Sequence, residues 1–299
     1  MSFCTARVFN AGLVCVVSVA FWPEATLAGS TNPLQVKPNP VSQKLRTRDA
    51  ELQRDLLAKG RLRTDAGAAS GDGDHKSLER DFMEIALFSE YSSGSMNSGP
   101  EAKPLLRWED PVRLQVVFGA SVDKTQKRED LASIRKYSAK LARASSHPIT
   151  LTQTNPNFFV LVVNEAERQG LARQLPKLVP GISKSLVRSV AAMQPNHLCM
   201  VVADPHSDRS KGYKMAVAIV RAEHTGRMRN SCIEEELAQG MGLPNDCPTA
   251  HPSIFNDNEE FAVLTRRDEL MLKMLYDPSL KSGMTATQAQ PMISRIARR

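Results

Sequence analysis

The apolar positions of the chain predict a series of short strands separated by helices. Six segments show the alternating or continuous apolar pattern that is typical of β-strands. These segments are ERDFMEIALFSEY, the stretch from Val112 to Phe118, PITLTQ, NFFVLVVN, HLCMVVADP and YKMAVAIVRAE. Strands that alternate with helices predict an α/β (α+β) fold with a mixed sheet.

Two further segments show the apolar spacing of helices. In EDLASIRKYSAKLARASS, Leu131, Ile134, Tyr137 and Leu141 fall on one helical face. The segment EAERQGLARQLPKLVPGISKSLVRSV is predicted to be helical in patches, because prolines interrupt it. These segments provide the helices expected between the strands.

The stretch SCIEEELAQGMGLPND, from Ser231 to Asp246, carries the signals of a capped helix, which we call the motif helix. Ser231 and Glu234 form a capping-box pattern, so the helix is predicted to begin at Ser231 and to run to about Met241. Gly242 then provides a residue that tolerates positive φ, as helix ends require. An apolar stripe with four-residue spacing is predicted to face the core: Ile233, Leu237 and Met241.

Two more helices are predicted after the motif helix. Thr265 is a good N-cap residue for the segment LTRRDELMLKMLYDP, with Asp268 three residues later. The tail KSGMTATQAQPMISRIARR is predicted to form a terminal helix with a basic end.

Residues 1–28 have the pattern of a signal peptide. Arg7 gives a positive start, Ala11 to Trp22 form an apolar run, and small residues up to Ala28 suit cleavage before Gly29. The apolar run is too short for a stable membrane span. The sequence therefore predicts an exported protein, periplasmic or secreted.

The remaining chain is predicted to consist of a linker and one domain. Residues 29–78 are rich in polar residues, glycine and proline and lack aromatics, so they are predicted to be a disordered basic linker. The segment DAELQRDLLAKGRLR within it is interpreted as a short charged helix on a mobile tether. The folded domain is predicted to comprise residues 79–299.

The formal net charge of +7 is modest. A basic exported protein can contact anionic lipid, polysaccharide or cell-wall polymer, although such basicity also simply aids solubility. Nucleic acid is not an expected partner, because aromatic residues make up only 5% of the chain and no basic stripe alternates with them.

Three cysteines follow the predicted signal peptide: Cys199, Cys232 and Cys247. Two of them are expected to pair in an oxidising compartment. A Cys199–Cys232 bridge would fix the motif helix to a strand and is favoured over Cys232–Cys247, but the sequence leaves both pairings open. The later histidines are scattered between elements and are predicted to lie at the surface: His147, His197, His206 and His224.

The polar residues of the motif helix match the spacing of the extended zincin motif, H-E-x-x-H-x-x-G-x-x-H. In that motif the histidines hold zinc, the glutamate is a general base, and the glycine turns the chain toward the third ligand. Here the ligand positions hold Glu235, Gln239 and Asn245, whereas Glu236 and Gly242 retain the pattern. The segment thus resembles a zincin helix whose zinc chemistry has been altered or lost.

The segments that follow extend this resemblance. PSIFND and LTRRDELMLKMLYDP resemble the Met-turn and the last helix of metzincins, with Phe255 at the methionine position. The combination of CIEEELAQGMGLPND, PSIFNDNEEFAVLT and MLYDPSLKSGMT resembles the bacterial envelope family known as domain of unknown function 2927. This resemblance implies a zincin-like metallopeptidase fold with a motif helix and a C-terminal helix, and it implies export, but no established activity.

Three interpretations of the motif residues stay open. In a metal site, Glu235 could bind zinc, whereas the amide oxygens of Gln239 and Asn245 suit calcium better, and Asp246 could replace the third ligand. Metal-free hydrolysis would need a carboxylate from FNDNEEF, because Glu235 and Glu236 point about 100° apart on a helix. A structural interpretation explains each residue by helix capping, the helix dipole or turn formation.

We therefore expect a non-catalytic pseudo-peptidase module that binds a peptide or an envelope polymer. The peptide would lie in the old substrate cleft, between the motif helix and an edge strand, as an added strand. No cofactor is expected under this hypothesis. The alternative is an atypical hydrolase that uses a divalent metal and Glu236 as its general base.

Overall fold

A computed structural model describes residues 39–67, 74–89 and 101–299. The predicted signal peptide, residues 1–28, lies outside the described residues, as do parts of the predicted linker. Within the described ranges, no helix is both long enough and apolar enough to cross a membrane.

The described chain alternates helices and strands. The helices are α1 (Pro40–Ala58), α2 (His75–Leu87), α3 (Lys124–Ser145), α4 (Glu165–Gln169), α5 (Leu171–Leu178), α6 (Lys184–Ala192), α7 (Gly226–Gln239), α8 (Arg266–Leu275) and α9 (Ala286–Ile296). The strands are β1 (Phe88–Ser89), β2 (Glu101–Ala102), β3 (Val112–Phe118), β4 (Ile149–Leu151), β5 (Phe158–Val163), β6 (Cys199–Pro205) and β7 (Tyr213–Arg221).

The main sheet has five strands in the order β4-β3-β5-β7-β6. The first four strands of that order run parallel, and β6 pairs antiparallel with β7. All residues of β5 are buried, as expected for the continuous apolar run of a central parallel strand. β1 and β2 form a separate two-stranded ribbon.

Helices cover both faces of the sheet. On one face α3, α7, α8 and α9 build a core around Phe158 and Val160, with Ile134 and Leu237 among its members. On the other face α5 and α6 cover Phe159 and neighbouring residues. The fold is thus a three-layer α/β arrangement, as the alternation of elements predicted.

Most of the predicted elements are confirmed. The five strands of the main sheet lie where the apolar pattern placed them, and so do α3 and the terminal helix α9. The N-cap of α8 is Thr265, and its side chain and that of Asp268 form a capping box. The apolar stripe of the motif helix is also confirmed, since Ile233, Leu237 and Met241 are buried.

The strand prediction for ERDFMEIALFSEY is wrong, because this segment forms most of α2. Asp74 caps α2 by accepting from the amides of Lys76 and Ser77. The buried residues Phe82, Ile85 and Ala86 follow the helical spacing of i, i+3 and i+4. That periodicity, and not β-propensity, decides the element.

The prediction of a mobile tether is wrong for the part of residues 29–78 that forms α1. Leu45, Asp49 and Leu56 are buried along one side of this helix. Its side chains also reach the main domain, since Arg46 donates to the carbonyl of Ala222 at 3.0 Å. α1 is therefore an ordered part of the fold.

The chain after α1 continues across the domain. The amide of Leu62 donates to the carbonyl of Glu259 at 2.8 Å, and that of Arg63 donates to Glu260 at 2.8 Å. Arg63 also forms a parallel β-bridge with Phe261. The amide of Met228 in α7 donates to Oε1 of Gln53 at 3.0 Å, so residues 39–67 contact both α7 and the loop before α8. We call this segment the N-terminal strap.

Candidate functional site

The motif helix lies within α7, and its start differs from the prediction. α7 begins at Gly226 after Thr225, so Ser231 lies inside the helix and does not cap it. The Ser231 hydroxyl donates instead to the carbonyl of Phe261 at 3.5 Å. The predicted capping box is therefore wrong, because Ser231 lies within the helix and its hydroxyl bonds to a residue distant in sequence.

Glu234 also has a tertiary role. Its carboxylate accepts from the amide of Leu264 at 2.8 Å and so binds the chain that leads into α8. Burial raises the pKa of Glu234 above its ordinary value, and the opposing effects of the Leu264 amide and of Lys140 do not outweigh burial. Glu234 thus joins α7 to the following loop.

The two acidic positions of the motif differ in their exposure. Glu236 is 4% exposed, whereas Glu235 is half-buried. Glu235 lies within electrostatic reach of the Tyr137 hydroxyl in α3; burial raises the pKa of Tyr137, and the neighbouring carboxylates raise it further. Glu236 is thus the more enclosed of the two carboxylates.

The structure brings the later motif positions together. The amide nitrogen of Gln239 donates to Oδ1 of Asp246 at 3.2 Å. The amide nitrogen of Asn245 donates to the carbonyl of Asp246 at 2.9 Å and to that of Glu84 in α2 at 3.2 Å. Gln239 and Asn245 are almost fully buried, so these contacts fix the chain after α7.

This donor set does not fit zinc. The three ligand positions offer one carboxylate and two neutral amides, whereas zinc sites use imidazole, thiolate and carboxylate. Among the described residues, no group of three or more His, Cys, Asp and Glu side chains could hold a metal ion. A harder cation such as calcium suits amide and carboxylate oxygens better.

The helix ends earlier than predicted, and the glycine is used as predicted. The last residue of α7 is Gln239, and Gly240 is its C-cap. Gly242 has a φ of +121°, and a Cβ there would lie 2.4 Å from the carbonyl oxygen of Leu106. Only glycine fits this turn without a shift of the neighbouring backbone.

The turn that resembles a Met-turn packs against α7. It is a short 3₁₀ helix, Ile254–Asn256, in which Phe255 is fully buried. The carbonyl of Phe255 accepts from the amide of Cys247 at 2.7 Å, and Asp268 accepts from the amide of Ile254 at 3.0 Å. The turn is thus held between the loop after α7 and the start of α8.

Asn256 in this turn was not among the predicted site residues. The residue is 4% exposed, and its amide nitrogen has no hydrogen-bond partner among the described residues. Most buried polar groups in proteins have such a partner, so Asn256 stands out among the residues of this turn. Its position directly after Phe255, in the segment that resembles a Met-turn, was the signal available in the sequence.

The predicted Cys199–Cys232 disulfide is confirmed, with a Cα–Cα distance of 5.8 Å. It joins β6 to α7, so the edge strand and the motif helix are covalently linked. Cys247 is a buried free thiol, which excludes the alternative Cys232–Cys247 pairing. Burial raises the pKa of Cys247.

The two edges of the main sheet differ in their protection. β4 has only three residues, whereas β6 runs from Cys199 to Pro205 and carries no charged side chain before Asp204. Val201 and Ala203 are half-buried and pack on the α7 side of the sheet. Among the described residues, no strand pairs with the outer side of β6.

The ligand crevice that is common in α/β sheets is filled by a side chain. Such crevices lie at the carboxyl ends of the strands, where the strand order reverses, here between β3 and β5. The Glu167 carboxylate accepts there from the amide and hydroxyl of Ser121 at 2.8 and 2.7 Å, and from the amide of Asn164 at 2.9 Å. The region near α7 and β6 is therefore the better candidate site.

The architecture defines the class of protein as a three-layer α/β domain in which a disulfide joins an edge strand to a motif helix. The chain matches the model of the family described as "Protein of unknown function (DUF2927)" over residues 75–295, and it belongs to that family. No curated protein matches the chain, and no solved structure matches it.

Proposed function

We propose that the protein is a zincin-like, non-catalytic module that binds an extended peptide along the outer side of β6. The observation that carries this proposal is the apolar edge of β6 next to α7, with which no other described strand pairs. Natural proteins normally shield sheet edges with short strands, lysine or proline. β4 is short, but the residues of β6 from Cys199 to Ala203 include neither a charge nor a proline.

The contacts of β6 support strand addition at this edge. An added peptide strand gains main-chain hydrogen bonds, and alternate side chains enter pockets on either side of the sheet. Val201 and Ala203 would contact peptide side chains on the α7 side of the sheet, and Val202 would contact those on the α6 side. The Cys199–Cys232 bridge holds the start of β6 against α7, so the edge is preorganised.

The zincin-like part of the proposal is supported by the order of the elements. An antiparallel edge strand precedes β7, and the motif helix α7 follows β7 directly. The Ile254–Asn256 turn packs against α7, and α8 follows with its Thr265 cap, as the resemblance implied. The changed ligand positions favour binding without zinc chemistry.

The proposal can be tested with peptides selected from a random dodecapeptide display library. We expect selected peptides to protect the backbone amides of β6 from hydrogen–deuterium exchange. Methylation of alternate peptide amides should abolish binding, because it removes main-chain donors. Protection elsewhere on the domain, or affinity that survives amide methylation, would refute strand addition.

A pair of variants locates the binding edge. Val201→Lys places a charge on β6 and should weaken peptide binding by at least about tenfold. Thr150→Lys places the same charge on the exposed opposite edge, β4, and should leave affinity unchanged. Circular dichroism melts would show that both variants are folded, and equal losses in the two variants would contradict the assignment.

An atypical hydrolase is the second candidate, and one observation favours it. Of the acidic side chains at the candidate positions, Glu235, Glu236 and Asp246, only Glu236 is fully buried. As a general base, Glu236 would remove a proton from an attacking water. The hydrolase would contain a metal at about one per chain by elemental analysis, and Glu236→Gln would abolish peptide cleavage while the fold persists. The non-catalytic module would contain no stoichiometric metal and would not cleave peptides.

A further inference from the structure

The layer formed by α5 and α6 carries an unbalanced positive charge. Residues 168–203 contain no aspartate or glutamate, in a chain with 32 acidic residues. The four exposed cations on these two helices are Arg173, Lys177, Lys184 and Arg188. None of the four makes an ion pair with another described residue. We call these four residues the α5–α6 patch.

Helical geometry places each pair of cations directly opposite the core. In α5, Leu171 and Leu175 are buried, and Arg173 and Lys177 lie on the other side, since successive residues advance by about 100°. The same relation holds in α6, where the buried residues are Leu186 and Val190 and the exposed cations are Lys184 and Arg188. Within each helix the two cations are four residues apart and so are neighbours.

The four side chains therefore point away from the sheet in one direction. The buried residues of both helices belong to the same core cluster on the same face of the sheet. The two helices also pack against each other. The result is an outer surface with four positive charges and no acidic side chain, so its charge complements an anionic surface.

We propose that the α5–α6 patch adsorbs to the headgroups of an anionic lipid bilayer. The attraction is electrostatic, because the described residues with exposed large apolar side chains are Val41 and Leu57, and both lie on α1. Adsorption is consequently reversible and weakens as salt rises. Because α6 packs against β6, adsorption would hold that edge near the bilayer, but it does not depend on peptide binding.

Vesicle co-sedimentation of the full chain tests this proposal. Vesicles of phosphatidylglycerol and phosphatidylcholine should retain the protein at low salt and release it at high salt, and pure phosphatidylcholine vesicles should not retain it. Each cation near an anionic surface contributes about fivefold to partition, so replacing all four by glutamine should lower partition by at least about 100-fold. Glutamine preserves helix propensity.

A matched variant distinguishes the patch from net charge. The matched variant replaces four exposed cations of α3 with glutamine and so removes the same charge from another surface. These residues are Lys124, Arg128, Lys136 and Arg143. We expect this variant to bind anionic vesicles within about threefold of the unsubstituted chain. Equal losses in the two variants, or no loss in the patch variant, would overturn the proposal. Binding to soluble dextran sulfate without binding to vesicles would also overturn the proposal, because the partner would then be an acidic polymer.

Discussion

Asp49 of α1 and His224, which lies between β7 and α7, form a buried pair in which Oδ2 and Nδ1 lie 3.1 Å apart. Neither side chain is more than 1% exposed. The other ring nitrogen of His224 lies 2.7 Å from the carbonyl oxygen of Leu198. Both ring nitrogens thus lie close to oxygen atoms of neighbouring elements. The pair attaches the N-terminal strap to the carboxyl end of the sheet.

Asp49→Asn should therefore loosen the strap. Burial raises the pKa of Asp49, but the hydrogen bonds and charges of His224 and Arg48 outweigh burial and lower the pKa. Removing one partner of a buried pair costs about 3 kcal/mol, which urea unfolding would measure. Hydrogen–deuterium exchange should become faster in α1.

A matched control lies on the same helix. Asp55 pairs with Lys59 at 2.6 Å, but both side chains are more than half exposed. Asp55→Asn should leave exchange in α1 and the unfolding midpoint nearly unchanged. If both variants destabilise the chain equally, the effect comes from the helix itself and not from the buried pair.

A second buried network predicts acid sensitivity. Burial raises the pKa of Glu165, but hydrogen bonds from Arg168 and Arg221 outweigh burial and lower the pKa from 4.5 to about 2. A carboxyl group with a lowered pKa in the folded state stabilises the protein above its unfolded pKa. This stabilisation should be complete above pH 4.5 and should be lost as the pH falls to about 2.

Glu165→Gln measures that contribution. The variant should lose at least about 3 kcal/mol of unfolding free energy at pH 7, because two buried guanidinium groups lose their partner. The difference from the unsubstituted chain should shrink between pH 4.5 and about 2. A difference that stays constant over this range would show that the charge of Glu165 is not its source.

The Cys199–Cys232 bridge should contribute strongly to stability. It closes a loop with a sequence separation of 33 residues. A loop of that length predicts about 3–4 kcal/mol of stabilisation from loop-closure entropy. Replacing both cysteines by serine and measuring urea unfolding tests this value. Cys247→Ala should leave the bridged peptide unchanged in non-reducing mass spectrometry, and a new pairing there would contradict the assignment.

Gly119→Ala should show how tightly the crevice between β3 and β5 is filled. A Cβ at Gly119 would lie 2.1 Å from Oε2 of Glu167, so the carboxylate would have to move and lose its hydrogen bonds. We expect a loss of about 2 kcal/mol in urea unfolding. In a Glu167→Ala background the same change should cost much less, and strictly additive losses would exclude the proposed contact.

The sequence predicted the centre of the main sheet well because β5 and β7 are buried on both faces. Continuous apolar runs such as β5 have few alternative structures in a domain of this size. Thr265 was also predicted correctly, because its cap is a local interaction with Asp268. Local and strongly patterned signals were sufficient for these elements.

Signals that depend on distant partners were misread. Ser231 has the local pattern of an N-cap, but its hydroxyl donates to the carbonyl of Phe261 in a later loop. His224 was predicted to lie at the surface and is fully buried, because α1 supplies Asp49 as its partner. In α1 the apolar spacing of Leu45, Leu52 and Leu56 was present but diluted by charged neighbours.

The candidate site was only partly predictable. The pairing of Cys199 with Cys232 was favoured because it joins a strand to the motif helix, although the sequence left both pairings open, and it is confirmed. The contact between Gln239 and Asp246 depends on how the chain turns after Gly242, which spacing alone does not define. Binding of a divalent ion by Glu235, Gln239 and Asn245 stays a prediction of the hydrolase hypothesis.

The N-terminal strap has a practical consequence for anyone who isolates this domain. The family match begins at residue 75, whereas the strap comprises residues 39–67. A fragment cut at the family boundary would expose the imidazole of His224 and strip the Met228 amide of its acceptor on Gln53. A fragment that begins at residue 39 should therefore be the more stable sample for biophysical work.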